Sequence, residues 1–310
     1  MKHPLRQILT TTAALCLWLT PLLGRAQDSP TDHVTVPFRD PARPGMVKVS
    51  LMQGGITVKG YDGKEVIVEA RLRADKKSKH KERHGKDEHG DEAPAGLKRI
   101  EIGSTGLTVE EEDNVVTVGV SMGRNVDLTI QVPFKTSLKL SCMNDGELRV
   151  EKVEGEIEAS NLNGSTILRN VSGVVIAHSL NGRVETVLDK VTPDKPMSFS
   201  TMNGDVDVTL PADIKAKVKL ESENGAIYSD FDIGLDTHSN APIVEDGRKE
   251  GGKYRIQFER GVTGTINGGG AEMKFKSMNG NIQIRKAKPA GEGAKSSVEV
   301  TKPPGDAAKP

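Results

Sequence analysis

Three groups of residues in this sequence have the types and spacing to do chemistry. His80 and His84 stand four apart, and His89 follows among Asp87, Glu88 and Asp91. On a helix, an i, i+4 pair of histidines can hold zinc. The metalloprotease form of that pair has glutamate directly after the first histidine, and Lys81 stands there instead. Residues 74–96 as a whole are a run of mixed charge, which reads as a solvated insertion between two strands. The second group is Asp205 and Asp207, a close acidic pair on one side of a strand and the minimum equipment for acid–base or glycosidic work. Their sequence neighbours bring no converging partners, and two solvated strand residues account for them.

The third group is Gly268-Gly269-Gly270, which lacks the Lys-Ser/Thr ending and the following helix of a phosphate loop. Calcium-binding nonapeptides need Gly-Gly-x-Gly-x-Asp, and no such run recurs. Cys142, in Leu138-Lys-Leu-Ser-Cys142, has no histidine near it in sequence and reads as a small buried strand residue. No catalytic, cofactor-binding or metal-ligating set is assigned, no cofactor is expected, and the chain reads as a non-enzyme.

The elements that position these residues are strands. Val47-Lys-Val-Ser-Leu51, Val66-Ile-Val68, Val115-Val-Thr-Val118 and Val126-Asp-Leu-Thr-Ile-Gln-Val132 alternate or are rich in β-branched residues, with turn residues between them. No helical period is persuasive beyond residue 26, so the class is all-β.

A repeat organises the strands. Met143-Asn-Asp-Gly146, Leu162-Asn-Gly164, Leu180-Asn-Gly182, Met202-Asn-Gly204, Glu223-Asn-Gly225 and Met278-Asn-Gly280 share a small lead and an Asn-Gly turn. Gly146, Gly155, Gly164, Gly173 and Gly182 fall every nine residues. Two residues after each stand Leu148, Ile157, Thr166, Val175 and Val184; two before four of them stand Val153, Leu162, Val171 and Leu180. Nine residues make one short strand and a tight turn, and alternate positions share a face. One such unit cannot bury its face alone, whereas stacked units can. This predicts a β-solenoid with coils of about 18–22 residues, in which Asn163, Asn181, Asn203 and Asn224 stack at successive corners and bond to backbone. The rival arrangement is a meander of hairpins, for which Asn-Gly is also a signal. Ile167, Ile176 and Val187 fall on the outward parity of the repeat.

Composition agrees with a narrow interior. The 310 residues include 33 Gly but only 3% aromatics, too few for stacking platforms or an aromatic-lined carbohydrate cleft. Lys+Arg and Asp+Glu are equal at 43 each, which removes the electrostatic case for nucleic acid. Residues 1–26 read as a secretory signal: Lys2 and Arg6, an apolar stretch from Ile8 to Leu23, and small Gly24 and Ala26 before the cut. Thr10–Thr12 and Pro21 leave that stretch too short for a membrane span, and no transmembrane anchor is expected. Its removal takes Lys2, Arg6, Arg25, Cys16 and Trp18, leaving a net charge of −3 and Cys142 as the one cysteine. The expected plan is a signal at 1–26, an extended lead-in at 27–45, one β-solenoid at 46–286 with its disordered charged insertion, and a disordered tail at 287–310.

Val126-Asp-Leu-Thr-Ile-Gln-Val-Pro133, the glycine ladder from Gly146 to Gly225, Val208-Thr-Leu-Pro-Ala212 and Gly264-Thr-Ile-Asn-Gly-Gly-Gly270 followed by Met278-Asn-Gly280 resemble a family of exported bacterial adhesin-like proteins. Its domain, of unknown function, consists of repeated strand–Asn–Gly units. The resemblance covers roughly residues 47–285 and implies a β-solenoid with no demonstrated chemistry. The expected role is that of an exported scaffold, periplasmic, cell-surface or extracellular, binding a protein or glycan of the cell envelope or another surface. The alternatives are a polysaccharide-active enzyme built around Asp205 and Asp207, or a regulatory partner in envelope stress.

Overall fold

The computed structural model describes residues 31–73, 104–144, 146–236, 243–246, 254–257 and 261–288. The expectations for the signal at 1–26, for the charged insertion with His80, His84 and His89, and for the tail beyond 288 lie outside the described residues. What is described is all-β, with no helix. Twenty strands form one sheet that curls into a nearly closed barrel.

Strands are numbered in chain order, and they follow the alternation of the sequence. In β7 (Val126–Pro133), Val126, Leu128, Ile130 and Val132 are buried and the residues between them are not, as a half-buried strand requires. Two ladders of strands make up the sheet. The first runs β5 (Leu107–Glu112), β6 (Val115–Val120), β2 (Gly45–Gln53), β8 (Thr136–Asn144), β10 (Glu154–Asn163), the second half of β11 (Thr166–Asn181), β13 (Met197–Asn203), β21 (Ala271–Asn279), β15 (Ala216–Ser222), β20 (Val262–Ile266) and β17 (Gly234–Leu235). The second runs β1 (Thr31–Pro37), β4 (Glu65–Leu72), β7, β3 (Ile56–Tyr61), β9 (Leu148–Glu151), the first half of β11, β12 (Val184–Val191), β14 (Val206–Leu210), β22 (Ile282–Lys286) and β16 (Ile227–Ser229). The middle of each ladder is parallel; both ends of the first are antiparallel, as is the β1–β4–β7 end of the second, whose other end at β16 stays parallel. A separate pair, β18 (Ile243–Asp246) and β19 (Tyr254–Gln257), is antiparallel.

Register follows the spacing of the glycines. Leu148 pairs with Thr166 and Thr166 with Val184 on the second ladder, while Ile157 pairs with Val175 on the first, each step being 18 residues. The next step is 22 residues, from Ala177 to Phe199 and from Val184 to Val206. The core between the ladders is aliphatic, with Phe199 and Phe275 stacked at its centre, 5.3 Å between ring centroids.

The corner joining the ladders is held by three columns of residues. The asparagines bond to one another through their side chains: Asn163 donates to Asn144, Asn181 to Asn163, Asn203 to Asn181, Asn279 to Asn203 and Asn224 to Asn279, at 2.7–2.9 Å. Beside them lies a buried column that reaches backbone: Cys142, Asn161, Ser179, Thr201 and Ser277 donate to the carbonyls of Gly54, Gly146, Gly164, Gly182 and Gly204, at 2.7–3.1 Å. The glycines form the third column because nothing larger fits. A Cβ on Gly164 would stand 2.0 Å from the Gly146 oxygen, and one on Gly280 2.0 Å from that of Gly204.

Three expectations are corrected here. The asparagines bond side chain to side chain; the backbone is served by the residue two positions earlier. The corners do not stack in sequence order, since Asn279 lies between Asn203 and Asn224. Residues 271–286 slot between β13–β14 and β15–β16, which brings Phe275 against Phe199 where Leu220 of β15 would otherwise lie. Leu162 and Leu180 do not join Val153 and Val171 inside, because the Asn-Gly corner turns its buried position to Asn161 and Ser179.

Cys142 is buried in this column with its thiol on the Gly54 carbonyl at 3.1 Å. Burial pushes its pKa up to about 11, against an opposing pull from Arg73. Folding therefore favours the neutral thiol. Stability from it is full below the unfolded value near 9 and is lost as pH climbs toward 11.

Two outcomes are expected. Thr201→Val, which leaves the Gly182 carbonyl without its donor, costs about 1–2 kcal/mol in urea unfolding, and Gly164→Ala costs more than Thr201→Val. Native protein at pH 8 leaves Cys142 unlabelled by a thiol reagent, and Cys142→Ser removes part of the stability loss between pH 9 and 10.5.

Candidate binding surface

The outward face of the second ladder is a lattice of ion pairs. Arg149 meets Glu147 at 2.5 Å and Glu151 at 3.7 Å; Arg169 and Arg183 share Glu185 at 2.7 and 2.6 Å; Arg285 holds Asp207 at 2.8 Å. Asp205 is engaged elsewhere, accepting the backbone N–H of Asn281 at 2.7 Å in the neighbouring corner. The two aspartates proposed as an alternative catalytic pair therefore serve separate structural partners, and nothing in their contacts pairs a general acid with a base. Ile167 is buried although its parity is outward. It lies in register between Arg149 and Glu185, whose aliphatic stems flank it.

The outward face of the first ladder is built differently. One row runs in register through Ser50, Ser141, Ser160, His178 and Ser200, and continues to Lys276 and Glu221. The parallel row two residues earlier runs through Lys48, Lys139, Glu158, Ile176, Ser198, Lys274 and Lys219. Short side chains thus occupy the middle of the face, and lysines stand toward both ends. His178 Nδ1 and Ser200 Oγ are 2.8 Å apart, and Ile176 is 47% exposed.

At one end of this face Glu221 lies within 3.4–3.6 Å of Lys219, Lys274 and Lys276. Burial raises its pKa, but the ammonium groups of Lys274 and Lys276 outweigh it, and the carboxyl sits below its ordinary value. Where β8, β10 and the second half of β11 begin, a shallow cleft of about 560 Å³ is lined by Lys135, Glu156, Val174, Pro193 and Lys195, and Lys195 is bonded across it to Glu156.

Sequence reasoning missed two features. The buried corner column has a signal, a small hydrogen-bonding residue two before each Asn, but it becomes meaningful only when the neighbouring carbonyl is known. The serine row has no signal at all, because its members are brought together by register alone. Among the described residues no group of three or more His, Cys, Asp and Glu is arranged to hold a metal ion. No described helix is long and apolar enough to cross a membrane.

No protein-family model and no curated protein match the chain. Among solved structures it is similar to a candidate cell adhesion protein from Clostridium sporogenes, with 14% identity and a TM-score of 0.37 over 83% of this chain and 100% of that one. It is also similar to a candidate adhesin from Bacteroides fragilis, with 9% identity and a TM-score of 0.25 over 83% of this chain and 97% of that one. At these scores neither likeness carries an argument about function.

The separate engagement of the two aspartates has a measurable consequence. Asp207→Ala removes one surface ion pair, worth about 0–1 kcal/mol, and Asp205→Ala removes an acceptor at the corner, worth about 1 kcal/mol. Their costs in denaturant unfolding are expected to add in the double variant to within about 0.5 kcal/mol.

Proposed function

We propose that this chain is an exported, non-enzymatic β-solenoid that binds a protein or glycan of the cell envelope, or another surface, along the outward face of its first ladder. The solenoid reading is supported by parallel partners spaced 18 and 22 residues apart and by corners that stack through like residues. In this reading residues 1–26 direct export and 287–310 space the domain from its neighbours, whereas the lead-in expected at 27–45 supplies β1, paired with β4, and the buried Phe38, and so belongs to the domain.

One observation carries the choice of face. Across the middle strands the first ladder presents hydroxyls, an imidazole and an exposed isoleucine in register, with a single ion pair there, Lys139 with Glu158 at 2.9 Å, while the second ladder closes its charges into a lattice of pairs. A surface whose polar groups already satisfy one another gains little from a ligand. A row of half-buried to exposed hydroxyls can exchange water for the hydroxyls and amides of a polymer at little cost. The enzyme reading has no such support, because Asp205 and Asp207 are each taken up by structural partners.

The test is co-sedimentation of the chain from residue 27 onward with whole cells, isolated peptidoglycan and envelope membranes. Retention is expected, and Ser141→Arg with Ser160→Arg should weaken it roughly tenfold or more, the cost of placing bulk and charge in a contact surface, while Arg149→Gln on the opposite face leaves it unchanged. Failure to bind any of these, or equal binding by the serine variant, overturns the assignment. Turnover of a glycan in the same panel overturns the non-enzymatic part.

A further inference from the structure

We propose that the chain pairs with a second copy of itself through a strip of methionine and leucine side chains that runs beside the asparagine column. Met52, Met143, Leu162, Leu180, Met202 and Met278 each stand immediately before the Gln or Asn of a corner. Register sets them side by side. Leu51 pairs with Cys142 and Gln53 with Asn144, which puts Met52 beside Met143, and the same pairing continues through β10, β11, β13 and β21. Neighbouring strands lie about 4.8 Å apart, so the strip is about 24 Å long. Met52, Met143, Leu162 and Met202 are 38–46% exposed, and Leu180 and Met278 are half-buried between their neighbours.

Single exposed apolar side chains are ordinary on a protein surface, whereas a contiguous strip marks a contact. The corner does not call for one. The position faces outward, since the residue before it is buried in every case. In the next strand, β15, it is filled by Glu223, which is exposed and leads into the same Asn-Gly turn. The turn therefore accepts a charge there, and the apolar strip is not a requirement of folding.

Two features fit a second copy. The first is order. From β2 to β21 the strip reads Met-Met-Leu-Leu-Met-Met, the same from either end. A two-fold axis along the strand direction, passing between Leu162 and Leu180, reverses the strand order and lays the strip on itself. Met52 then faces the partner's Met278, Met143 the partner's Met202 and Leu162 the partner's Leu180, the self-complementarity that a two-fold contact needs. Methionine, unbranched and polarizable, adapts to such a surface. The second is charge. The strip is bordered by the asparagine column on one side and the serine row on the other. The same axis sets Ser50 against Lys276, Ser141 against Ser200 and Ser160 against His178, so these rows oppose no like charges.

The strip with its two bordering rows comes to about 18 side chains, just below the roughly 20–30 a side of a stable interface. The pair therefore forms reversibly, with a dissociation constant on the order of 10 µM. The contact does not rest on the ligand reading. Because it borders the serine row, a bound envelope polymer and the second copy compete.

The experiment is sedimentation equilibrium of the chain from residue 27 onward, from about 1 to about 500 µM. Monomer at low and dimer at high concentration are expected. Leu162→Glu with Leu180→Glu, which gathers four carboxylates at the axis, should weaken the dimer roughly tenfold or more. Arg149→Gln with Arg285→Gln, on the other ladder, should leave it unchanged, and unfolding midpoints confirm that both variants are folded. Cross-linking reads the axis: a mixture of Met143→Cys and Met202→Cys chains should form a disulfide-linked dimer on oxidation, and Met143→Cys chains alone should not. A chain that stays monomeric at the highest concentration overturns the proposal. An undiminished dimer in the glutamate variant overturns the strip as its site, and Met143→Cys chains that cross-link to one another overturn the axis. A monomeric chain whose retention by envelope fractions is lost in the glutamate variant assigns the strip to that partner and overturns the second copy as its occupant.

Discussion

The interaction on which the rest of this structure depends is a hydrogen bond from a buried side chain to a glycine carbonyl at the neighbouring corner. Each corner brings backbone so close to its neighbour that no Cβ can intervene, which is why Gly146, Gly164, Gly182, Gly204 and Gly280 occupy the column. That closeness buries a row of carbonyls which the turn leaves outside the regular ladders. An unmet buried carbonyl costs on the order of 1–3 kcal/mol, so the fold supplies a donor to each: Asn161, Ser179, Thr201, Ser277 and Ser222 serve these five, and the Cys142 thiol serves Gly54 at the start of the column. The chemical variety of these donors is informative. The site demands a small donor at one point in space and is indifferent to which atom bears the hydrogen.

With the corner fixed, the two ladders are free to differ. Their inward faces are largely aliphatic: Val, Leu, Ile and Ala fill most of the interior, with Met197, Met273 and the stacked Phe199 and Phe275 among them. Their outward faces differ from one another. One closes its charges into pairs. The other presents hydroxyls and lysines in register over several strands. Regular backbone thereby turns a one-dimensional series of residue types into a two-dimensional surface with defined spacing, about 4.8 Å between strands and about 6.8 Å along a strand.

Much of the strand pattern is legible from residue order. Leu148, Ile157, Val175 and Val184 are buried as alternation requires, and Gly155 lies beside Gly173 as the nine-residue pitch implies. Leu162 and Leu180 show where the pattern misleads. Both are leucines two before a glycine, as valines are at Val153 and Val171, yet the Asn-Gly corner and the Val-x-Gly corner turn through different parities. Periodicity along the chain does not carry that distinction. Asp205 and Asp207 illustrate the same point for the candidate chemistry: as neighbours in sequence they resemble a pair, and their partners Asn281 and Arg285, 76 and 78 residues away, show that they are not.

Local spacing by itself determined the all-β class, the inward residues of each strand and the places where the chain must turn, because alternation and turn geometry act over a few residues. Tertiary structure alone decided the order in which the strands pair. Residues 216–229 and 271–286 carry the same corner, Ser-Glu-Asn-Gly at Ser222 and Ser-Met-Asn-Gly at Ser277, and either could meet the corner at Asn203. Packing of Phe275 against Phe199 goes with the second. That choice also places Lys274 and Lys276 beside Ser198 and Ser200, so the surface proposed to bind follows from a contact in the core. A contact between residues 76 apart in the chain has no local signature; it exists only once the interior is filled.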